Sequence, residues 1–464
     1  MARKEFTSTA YTDLKDFIFG SAKYPVKLKN GMVIGGGDVY PELNFTLPTM
    51  VLNDDTWPAA IGHYREIITK TCERAYELEC PGFTCELETL PDMTFKPEWC
   101  VEATKVCCDI ISEFQSKKGI RGAFRITPND NREGDQVRHM YKGDRWDETM
   151  KAFEGSGKAK GDTDLIFAIE TIGGKEIHDD ALMMCDLKKD VFAMAAVACP
   201  DMERIWTAIV DIARKTDTIP GGDTACGLAN TAMVLAEKNY IPRVFAAMDR
   251  VMAGVRSLVA VEAGCVGPDK DCGYEGPYVK AISGIPIAME GKTASCAHLS
   301  ACGNIPMCVC DLWSNESVQN IQLLSGIAPI ASFETLEYDC RMLRTAKKKG
   351  FGEQMREILC DSDSLIDPHA WILRPDVVLD ISKGIVKETG YYDRVKAACR
   401  LSLESIRKGS DSGKLRLGDK EKDWLGQLLT AAEELPDTLD ELWDEVKDDC
   451  DKFNPKKYDL PYEF

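Results

Sequence analysis

The sequence predicts an α/β protein in which a parallel sheet closes into a barrel covered by helices. The chain has 464 residues, of which 44% are hydrophobic, so it can bury at least one large core. Length alone would suggest two or three domains, but barrel enzymes of this size often form one unit. Short apolar runs alternate with amphipathic runs, which is typical of a parallel sheet with helices outside. Eight strand candidates favour closure of this sheet.

The strand candidates are short apolar runs bounded by turn residues or by helix candidates. In chain order they are residues 82–90, 123–127, 165–170, 191–199, 216–219, 258–262, 307–312 and 329–333. The run 191–199 is continuously apolar, as is typical of strands buried on both faces. Residues 258–262 could equally be the end of a helix, so the count of eight depends on how this run folds.

Amphipathic runs between these candidates predict the helices. In the clearest one Asp201 offers an N-cap, and apolar residues from 202 to 213 fall on one helical face. Another helix opens at Cys226, after a double glycine. Two further helices are predicted near the C-terminus, at residues 391–407 and 424–435.

These elements divide the chain into three predicted regions: an N-terminal extension (1–55), a barrel (56–390) and an acidic C-terminal helical extension (391–464). The acidic residues near the end are Glu433, Glu434, Asp437, Asp440, Glu441, Asp444, Glu445, Asp448 and Asp449. We expect them to form the solvated face of a packed helix. A docking surface for a partner protein is the alternative.

The formal net charge of −19 argues against a nucleic-acid-binding protein, because phosphate recognition needs a basic face. It also disfavours binding to an anionic membrane surface. Residues 1–12 are polar, and no apolar signal core follows them. The most apolar helical stretch, 251–261, contains Arg256 and is too short to span a bilayer. We therefore expect a cytoplasmic protein.

The cysteine content does not predict a disulfide framework. Nineteen cysteines would suggest disulfides in a small secreted chain, but this chain is long and rich in core residues. In a reducing compartment, most of these thiols would be buried as small hydrophobic side chains. No paired C-x-x-C knuckles occur, so a closed structural zinc site of four cysteines is not expected.

Three residues near glycines are candidates for a catalytic metal site: Glu170, Cys226 and Cys272. Glu170 ends a predicted strand, and in barrel enzymes the carboxyl ends of the strands bear the active site. Cys226 opens a predicted helix, and a helix N-terminus favours the thiolate that binds metal. Cys272 lies in a loop punctuated by glycine and proline, so we expect it to face a cavity. Catalytic zinc takes three protein ligands and leaves a fourth position open.

Structural roles remain open for these residues. Glu170 could form a salt bridge, because a buried carboxylate needs either an ionic partner or a metal. Cys226 could be a packing cysteine, one of 19 in the chain. His298 could be a zinc ligand or an acid, although a capped or core histidine is the preferred interpretation. His178, which precedes two aspartates, need do no more than cap a helix.

Six long motifs resemble one enzyme family. They are IHDDALMMC at 177–185, GDTACG at 222–227, GPDKDCGYE at 267–275, MEGKT at 289–293, DLWSNESVQN at 311–320 and LRPDVVL at 373–379. From about residue 24 to residue 407, the chain resembles the zinc-containing methanol:corrinoid methyltransferase subunits of methanogenic archaea and acetogenic bacteria. Motifs of this length make the resemblance specific.

The resemblance implies a helix-rich (β/α)8 TIM barrel with N- and C-terminal extensions. It implies one catalytic zinc ion held by Glu170, Cys226 and Cys272. Cys265 is close to Cys272 in sequence but does not fit the motif. The resemblance also implies a partner, a corrinoid protein whose cobamide caps the barrel mouth. We expect a homodimer within a heteromeric complex.

The implied reaction transfers the methyl group of methanol to cobalt(I) of the corrinoid. Hydroxide is a poor leaving group, and a Lewis acid on the oxygen weakens the C–O bond. Our hypothesis places the methanol oxygen at the open zinc position, with in-line attack by cobalt from the opposite side. Two thiolates and one carboxylate give the zinc site a net charge near −1, which weakens zinc as a Lewis acid. We therefore expect an Asp or Glu from another strand end to assist the leaving oxygen.

Other functions remain open at the level of sequence. The first is a corrinoid methyltransferase for another donor, such as a methylthiol or a methylamine, because zinc with thiolate ligands also serves thiol chemistry. The second is a non-catalytic subunit for corrinoid binding or assembly. A zinc hydrolase is disfavoured, since hydrolases more often use histidine ligands and the chain has five histidines.

Overall fold

The structure, a computed structural model, describes residues 4–46, 50–128, 143–224, 226–270, 274–297, 299–317, 322–450 and 453–461, without the side chains of residues 226, 296, 297, 316, 317 and 457. These residues form nine β-strands: β1 (Ser21–Lys27), β2 (Val33–Gly36), β3 (Tyr40–Phe45), β4 (Phe83–Glu88), β5 (Gly122–Thr127), β6 (Asp164–Glu170), β7 (Ile219–Thr224), β8 (Ala288–Glu290) and β9 (Leu312–Ser317). Seven of them form one sheet in the order β7-β6-β5-β4-β3-β9-β8.

The predicted parallel α/β architecture is confirmed. Every adjacent pair of strands in the seven-stranded sheet is parallel. The strand candidates 82–90, 123–127 and 165–170 correspond to β4, β5 and β6, and all three strands are buried along their whole length. This burial explains why the three runs contain so many apolar residues.

The two edge strands of the sheet, β7 and β8, lie on either side of one short segment. On one side of this segment, the backbone N–H of Gly267 donates to the Gly221 carbonyl of β7 at 3.1 Å. On the other side, Asp269 forms an isolated parallel bridge with Ile287, the residue before β8. The segment therefore spans the gap between the two edges of the curved sheet.

Two glycines allow this segment to approach β7. A Cβ atom on Gly221 would lie 2.8 Å from the Pro268 carbonyl oxygen, and one on Gly222 would lie 2.8 Å from the Asp269 Cα. Both contacts are with backbone atoms, so a side chain at either position would push the segment away. The double glycine that precedes Cys226 thus lies within β7 and is required by close backbone packing.

The described residues also form seventeen α-helices: α1 (Trp57–Glu77), α2 (Pro97–Lys118), α3 (Gly143–Ala159), α4 (Lys175–Met184), α5 (Leu187–Phe192), α6 (Cys199–Thr216), α7 (Thr231–Glu237), α8 (Arg243–Ala263), α9 (Gly276–Ser283), α10 (Lys292–Ala297), α11 (Ala328–Lys348), α12 (Gly352–Asp363), α13 (Pro368–Ile372), α14 (Pro375–Ile385), α15 (Tyr391–Asp411), α16 (Asp419–Glu433) and α17 (Leu439–Val446). Two π-helical segments, Ala193–Ala198 and Cys226–Asn230, precede α6 and α7. None of the described helices has the length and apolar character needed to cross a bilayer.

Three predicted strands are helical, so these predictions were wrong. Residues 191–199 run from α5 through a π-helical segment into α6, residues 258–262 belong to α8, and residues 329–333 belong to α11. Helix α8 is buried over nearly all of its length. A helix buried on every side has no polar face, so its short apolar runs cannot be distinguished from those of a buried strand.

Other predicted boundaries were displaced. Residues 216–219 bridge the end of α6 and the start of β7, while 307–312 consist mainly of a 3-10 turn and a loop before β9. Strands β3 and β8 were not among the candidates. Asp201 does not cap a helix, because the chain is already helical before it and its side chain is buried within the first turn of α6.

The antiparallel pair β1 and β2 covers the end of the sheet where the parallel strands begin. Its apolar side chains pack against the first residues of several sheet strands in one cluster: Val26, Leu28, Met32, Ile34, Tyr40, Ala123, Ile166, Ala288 and Leu312. This end is therefore filled by side chains. The opposite end, where the carboxyl ends of the strands meet, is the end available for a site.

A fully buried ion pair crosses the concave side of the sheet. The Arg125 guanidinium of β5 donates to both carboxylate oxygens of Glu42 on β3, at 3.0 and 3.2 Å. The same guanidinium also donates to the Pro268 carbonyl at 3.0 Å. Arg125 thus joins β3 and β5 to the segment that lies between the edge strands.

The predicted division into three regions stays a prediction, but its end regions pack closely with the sheet. Tyr40–Phe45, within the predicted N-terminal extension, is strand β3 and pairs with both β4 and β9. In the C-terminal region, the Glu421 carboxylate of α16 accepts hydrogen bonds from the backbone N–H groups of Arg243 and Val244 at 3.0 Å each. It thereby caps the first turn of α8, where a negative charge is favourable.

Several acidic residues near the C-terminus form ion pairs or helix caps with described residues. Glu445 pairs with Lys188 at 2.6 Å, and Asp444 pairs with Lys447 at 2.6 Å. Thr438 and Glu441 form a capping box at the start of α17. These contacts fit the expected solvated helix face, and the docking alternative stays a prediction.

We predict that Arg125→Met destabilises the protein by about 3–5 kcal/mol, because it leaves the buried Glu42 carboxylate without its cation. Urea unfolding monitored by circular dichroism measures this loss. The double variant Arg125→Met/Glu42→Gln removes both charges and should recover a large part of it. Equal losses in the single and double variants would contradict the role given to this ion pair.

Candidate active site

Glu170 lies at the carboxyl end of the sheet, as the sequence predicts. It is the last residue of β6, and its Cα is the register partner of Thr224, the last residue of β7. The Glu170 side chain is only 2% exposed. Cys226 follows Thr224 by two residues, so two of the three predicted ligands come from the ends of adjacent strands.

The two predicted cysteine ligands cannot be placed by their thiols. Cys226 opens the π-helical segment Cys226–Asn230, and its side chain lies outside what the structure describes. Cys272 lies outside the described residues altogether. Lys270, two residues before Cys272, is described, and its Nζ lies 3.5 Å from Glu170 Oε1. The segment that leads to Cys272 therefore contacts the side chain of Glu170.

Lys270 is a buried cation among three carboxylates at this end of the sheet. Its ammonium lies 3.0 Å from Glu86 Oε1 and forms a short ion pair with Glu88, in addition to its contact with Glu170. The Lys270 side chain is not exposed at all. Burial of these charges is tolerated because opposite charges lie in direct contact.

Neighbouring strands hold the two glutamates of β4 in place. Thr127 of β5 donates a hydrogen bond to Glu86 Oε1 at 2.6 Å. Asn44 of β3 donates to Glu88 Oε1 at 3.0 Å. Because these donors lie on strands rather than on loops, the positions of the carboxylates are fixed by the sheet itself.

A second group of buried residues connects the ends of β6 and β7 from outside the sheet. Arg256 of α8 donates to the Thr171 carbonyl at 2.8 Å and to the Thr171 hydroxyl, directly after Glu170. The same guanidinium donates to Asp223 Oδ1 at 3.3 Å. Trp206 of α6 donates to the other Asp223 oxygen at 3.2 Å. Arg256 therefore links the residue that follows Glu170 to the residue that precedes Thr224.

The electrostatics of Asp223 reflect this burial. Burial raises the pKa of the Asp223 carboxyl to about 6, although the Arg256 guanidinium opposes the rise. Burial likewise raises the pKa of Asp201, which faces the same arginine, to about 7. Both carboxyls thus gain protons more readily than in water, because the interior disfavours their charged form.

The C-terminal tail reaches the loop that follows Glu170. The Tyr458 hydroxyl accepts a hydrogen bond from the backbone N–H of Gly174 at 3.3 Å and lies 3.0 and 2.9 Å from the two carboxylate oxygens of Glu176. Gly174 has φ 82°, a left-handed conformation that favours glycine. The tail thus helps to set the turn between β6 and α4.

The two histidines considered from the sequence are His298 and His178. His298 lies outside the described residues. His178 does not cap a helix, since α4 begins at Lys175 and His178 is fully buried within it. Its Nε2 lies 3.0 Å from Asp249 Oδ1 of α8. His178 therefore lies in a separate cluster of polar side chains behind the sheet ends.

The chemistry of the candidate ligands fits a zinc ion. One carboxylate and two thiolates are donors that zinc accepts, and three protein donors leave an open position. The described part of the set agrees with this: Glu170 is buried at a strand end, next to the strand that leads into Cys226. The complete ligand set stays a prediction.

Lys270, Glu86 and Glu88 were not among the site residues predicted from the sequence. A signal for the two glutamates was present, because residues two apart on a strand face the same side of the sheet. Lys270 lies inside one of the family motifs, but nothing in the sequence indicates that it faces β4. The sequence did lead us to expect an Asp or Glu from another strand end, and Glu88, the last residue of β4, meets that description.

Comparisons with known proteins give a consistent result. The family model described as MtaB, methanol-cobalamin methyltransferase B subunit, matches residues 3–459. A methanol–corrinoid protein co-methyltransferase of Methanosarcina barkeri (strain Fusaro / DSM 804) is 36% identical over 468 residues, which cover 99% of this chain and 100% of the relative.

A solved structure agrees with the sequence matches. The crystal structure of the methanol:cobalamin methyltransferase complex MtaBC from Methanosarcina barkeri contains a chain that superposes with a TM-score of 0.92 at 35% identity. The match covers 98% of this chain and 100% of that chain. The resemblance drawn from the motifs and the enzyme class that it implies are confirmed, and the chain belongs to the methanol-cobalamin methyltransferase B subunit family.

Proposed function

We propose that this protein transfers the methyl group of methanol to cobalt(I) of a corrinoid that a partner protein carries. The observation that carries the proposal is the position of Glu170, buried at a strand end beside the strand that leads into Cys226. Family membership supports the reaction, and the relative in the solved complex supports a partner with a corrinoid. A homodimer of this chain within that complex stays our expectation.

We infer that the curved sheet is a closed barrel in which seven strands and one irregular segment occupy the eight strand positions. The segment around Gly267 and Asp269 fills the eighth position, since it contacts β7 on one side and the residue before β8 on the other. The helix-rich TIM barrel expected from the sequence is then completed by a segment too irregular to count as a regular strand. This arrangement supports a mouth at the carboxyl ends, where Glu170 and Lys270 lie.

We infer that Glu170, Cys226 and Cys272 would hold one zinc ion at this mouth. When bound, zinc supplies Lewis acidity that weakens the C–O bond of methanol. Glu170 contributes its carboxylate from a rigid strand, so the sheet fixes its position. Arg256 keeps the ends of β6 and β7 together and thereby holds the Glu170 and Cys226 backbones at a constant separation.

Lys270 supplies positive charge next to the expected ligands. Its ammonium contacts Glu86, Glu88 and Glu170, so one cation offsets part of the charge of three carboxylates. Without it, the buried charges of Glu86 and Glu88 would not be offset by this ammonium, beside a ligand set that is already near −1. We infer that this charge balance assists the departure of hydroxide and orients the Glu170 carboxylate.

An assay of methyl donors tests the proposed reaction. The purified protein is mixed with the cobalt(I) form of cobalamin and with methanol, methanethiol or methylamine, and methylation of cobalt is followed by absorbance. We expect turnover with methanol that greatly exceeds turnover with the other donors. Preference for methanethiol or methylamine would assign a different donor, and no transfer from any donor would favour a non-catalytic subunit.

The ligand assignment predicts that Cys226→Ala and Cys272→Ala lose the zinc ion of this site and lose activity, and that Glu170→Gln weakens zinc binding at this site. Metal analysis and competition with a chelator measure these effects. Cys265→Ala is the matched control, because Cys265 is buried nearby yet should leave zinc content unchanged. Normal zinc content in the Cys226 or Cys272 variant, or an unchanged zinc dissociation constant for Glu170→Gln, would refute that assignment.

We predict that Lys270→Met lowers kcat for methanol by on the order of 10²-fold, the usual effect of removing one preorganised charged donor. Zinc content should remain, because Lys270 is not a ligand. The double variant Lys270→Met/Glu88→Gln removes one carboxylate with the cation and should keep the low kcat of the single variant. A wild-type kcat in the single variant would exclude a role for the ammonium.

A further inference from the structure

Three buried side chains outside the candidate active site face one another. They are His178 of α4, Asp190 of α5 and Asp249 of α8, and none of them has any exposed area. His178 Nε2 lies 3.0 Å from Asp249 Oδ1 and 3.8 Å from Asp190 Oδ1. One nitrogen and two carboxylate oxygens thus lie within 4.8 Å of one another.

Most polar atoms of this cluster make no hydrogen bond. Both oxygens of Asp190, Oδ2 of Asp249 and Nδ1 of His178 are buried without a hydrogen-bond partner. Among the residues that the structure describes, no lysine or arginine pairs with either aspartate. Two buried carboxylates in contact without a compensating cation are costly, because the interior does not solvate their charge.

We propose that His178, Asp190 and Asp249 bind one divalent transition-metal ion such as Zn²⁺. Zinc lies about 2.0–2.2 Å from nitrogen and oxygen ligands, which places tetrahedral ligands about 3.3–3.6 Å apart. The observed separations of 3.0 and 3.8 Å from His178 Nε2 bracket that spacing. A neutral imidazole and two carboxylates make the site electrically neutral with a divalent ion.

A proton shared between the two aspartates is the competing explanation. Burial, together with Asp249, raises the pKa of Asp190, so the carboxyl of Asp190 can hold a proton. One proton, however, joins only the two carboxyl groups and does not involve His178, whose Nε2 lies within 3.8 Å of an oxygen of each aspartate. A divalent ion contacts all three residues at once, which accounts for their convergence from three separate helices.

The position of this cluster suggests what the ion would do. Helix α4 begins at Lys175, five residues after Glu170. Asp190 lies just before the π-helical segment that leads into α6, and Asp249 lies in α8, the helix that also carries Arg256. The ion would hold these helices together behind the ends of β6 and β7, and it would therefore be structural rather than catalytic.

Metal counting on the full chain tests the proposal. The protein is equilibrated with Zn²⁺ and freed of unbound metal by gel filtration. Its metal content per chain is then measured by inductively coupled plasma mass spectrometry. We expect two equivalents in the wild type and one in Cys226→Ala. His178→Gln and Asp190→Asn should each lose one equivalent. His369→Gln is the matched control, because His369 is equally buried but lies outside the cluster, and it should keep both.

Cobalt substitution separates the two sites. Co²⁺ bound by thiolates gives a charge-transfer absorption in the near ultraviolet, whereas Co²⁺ bound by nitrogen and oxygen does not. Asp190→Asn should retain this absorption while losing one metal equivalent, and Cys226→Ala should lose it while retaining one equivalent. The absorption and the metal content together therefore show which site binds metal: the cluster of His178, Asp190 and Asp249, or the predicted catalytic site that contains Cys226.

Two results would overturn the proposal. The first is a Cys226→Ala protein that binds no metal. This variant leaves His178, Asp190 and Asp249 unchanged, so the result does not depend on whether variants of these three residues fold. The second is an Asp190→Asn protein with the wild-type metal content and unchanged thermal stability. That result would favour the shared proton, since asparagine mimics a protonated aspartate in shape and charge.

Discussion

The fold depends on an ion pair inside the curved sheet. Arg125 reaches from β5 to the Glu42 carboxylate of β3 and to the backbone of Pro268, in the segment between the two edge strands. These contacts tie opposite parts of the sheet together through its interior. Because the charges have no access to water, the guanidinium is satisfied only when the strands and this segment occupy their native positions. The residues that follow Pro268, including Lys270, are positioned by the same contacts.

Charge is arranged in separate groups around the carboxyl ends of the strands. Lys270 lies among Glu86, Glu88 and Glu170 on the concave side, while Arg256 connects the ends of β6 and β7 from outside. Each group places a cation against carboxylates that the interior would otherwise disfavour. The side chains around the expected metal site are therefore held by strands and long helices, which fits a reaction that needs a fixed geometry.

Part of the fold could be predicted from local pattern. The runs that became β4, β5 and β6 were recognised because apolar residues end at clear turn signals. The run 191–199 was assigned wrongly, since a helix buried on all sides has no polar face. Strand β8 has three residues, too few for a periodic signal, and the segment around Asp269 contains glycine and proline and has no strand pattern.

The sequence by itself determined the family and the candidate residues Glu170, Cys226 and Cys272, because long motifs and residue chemistry are local properties of a chain. Only the tertiary structure decided that Lys270 contacts three glutamates, that Arg125 crosses the sheet, and that His178 meets Asp190 and Asp249. These contacts join residues that are distant in sequence. Their partners are chosen by how strands and helices pack, and no local pattern encodes that packing.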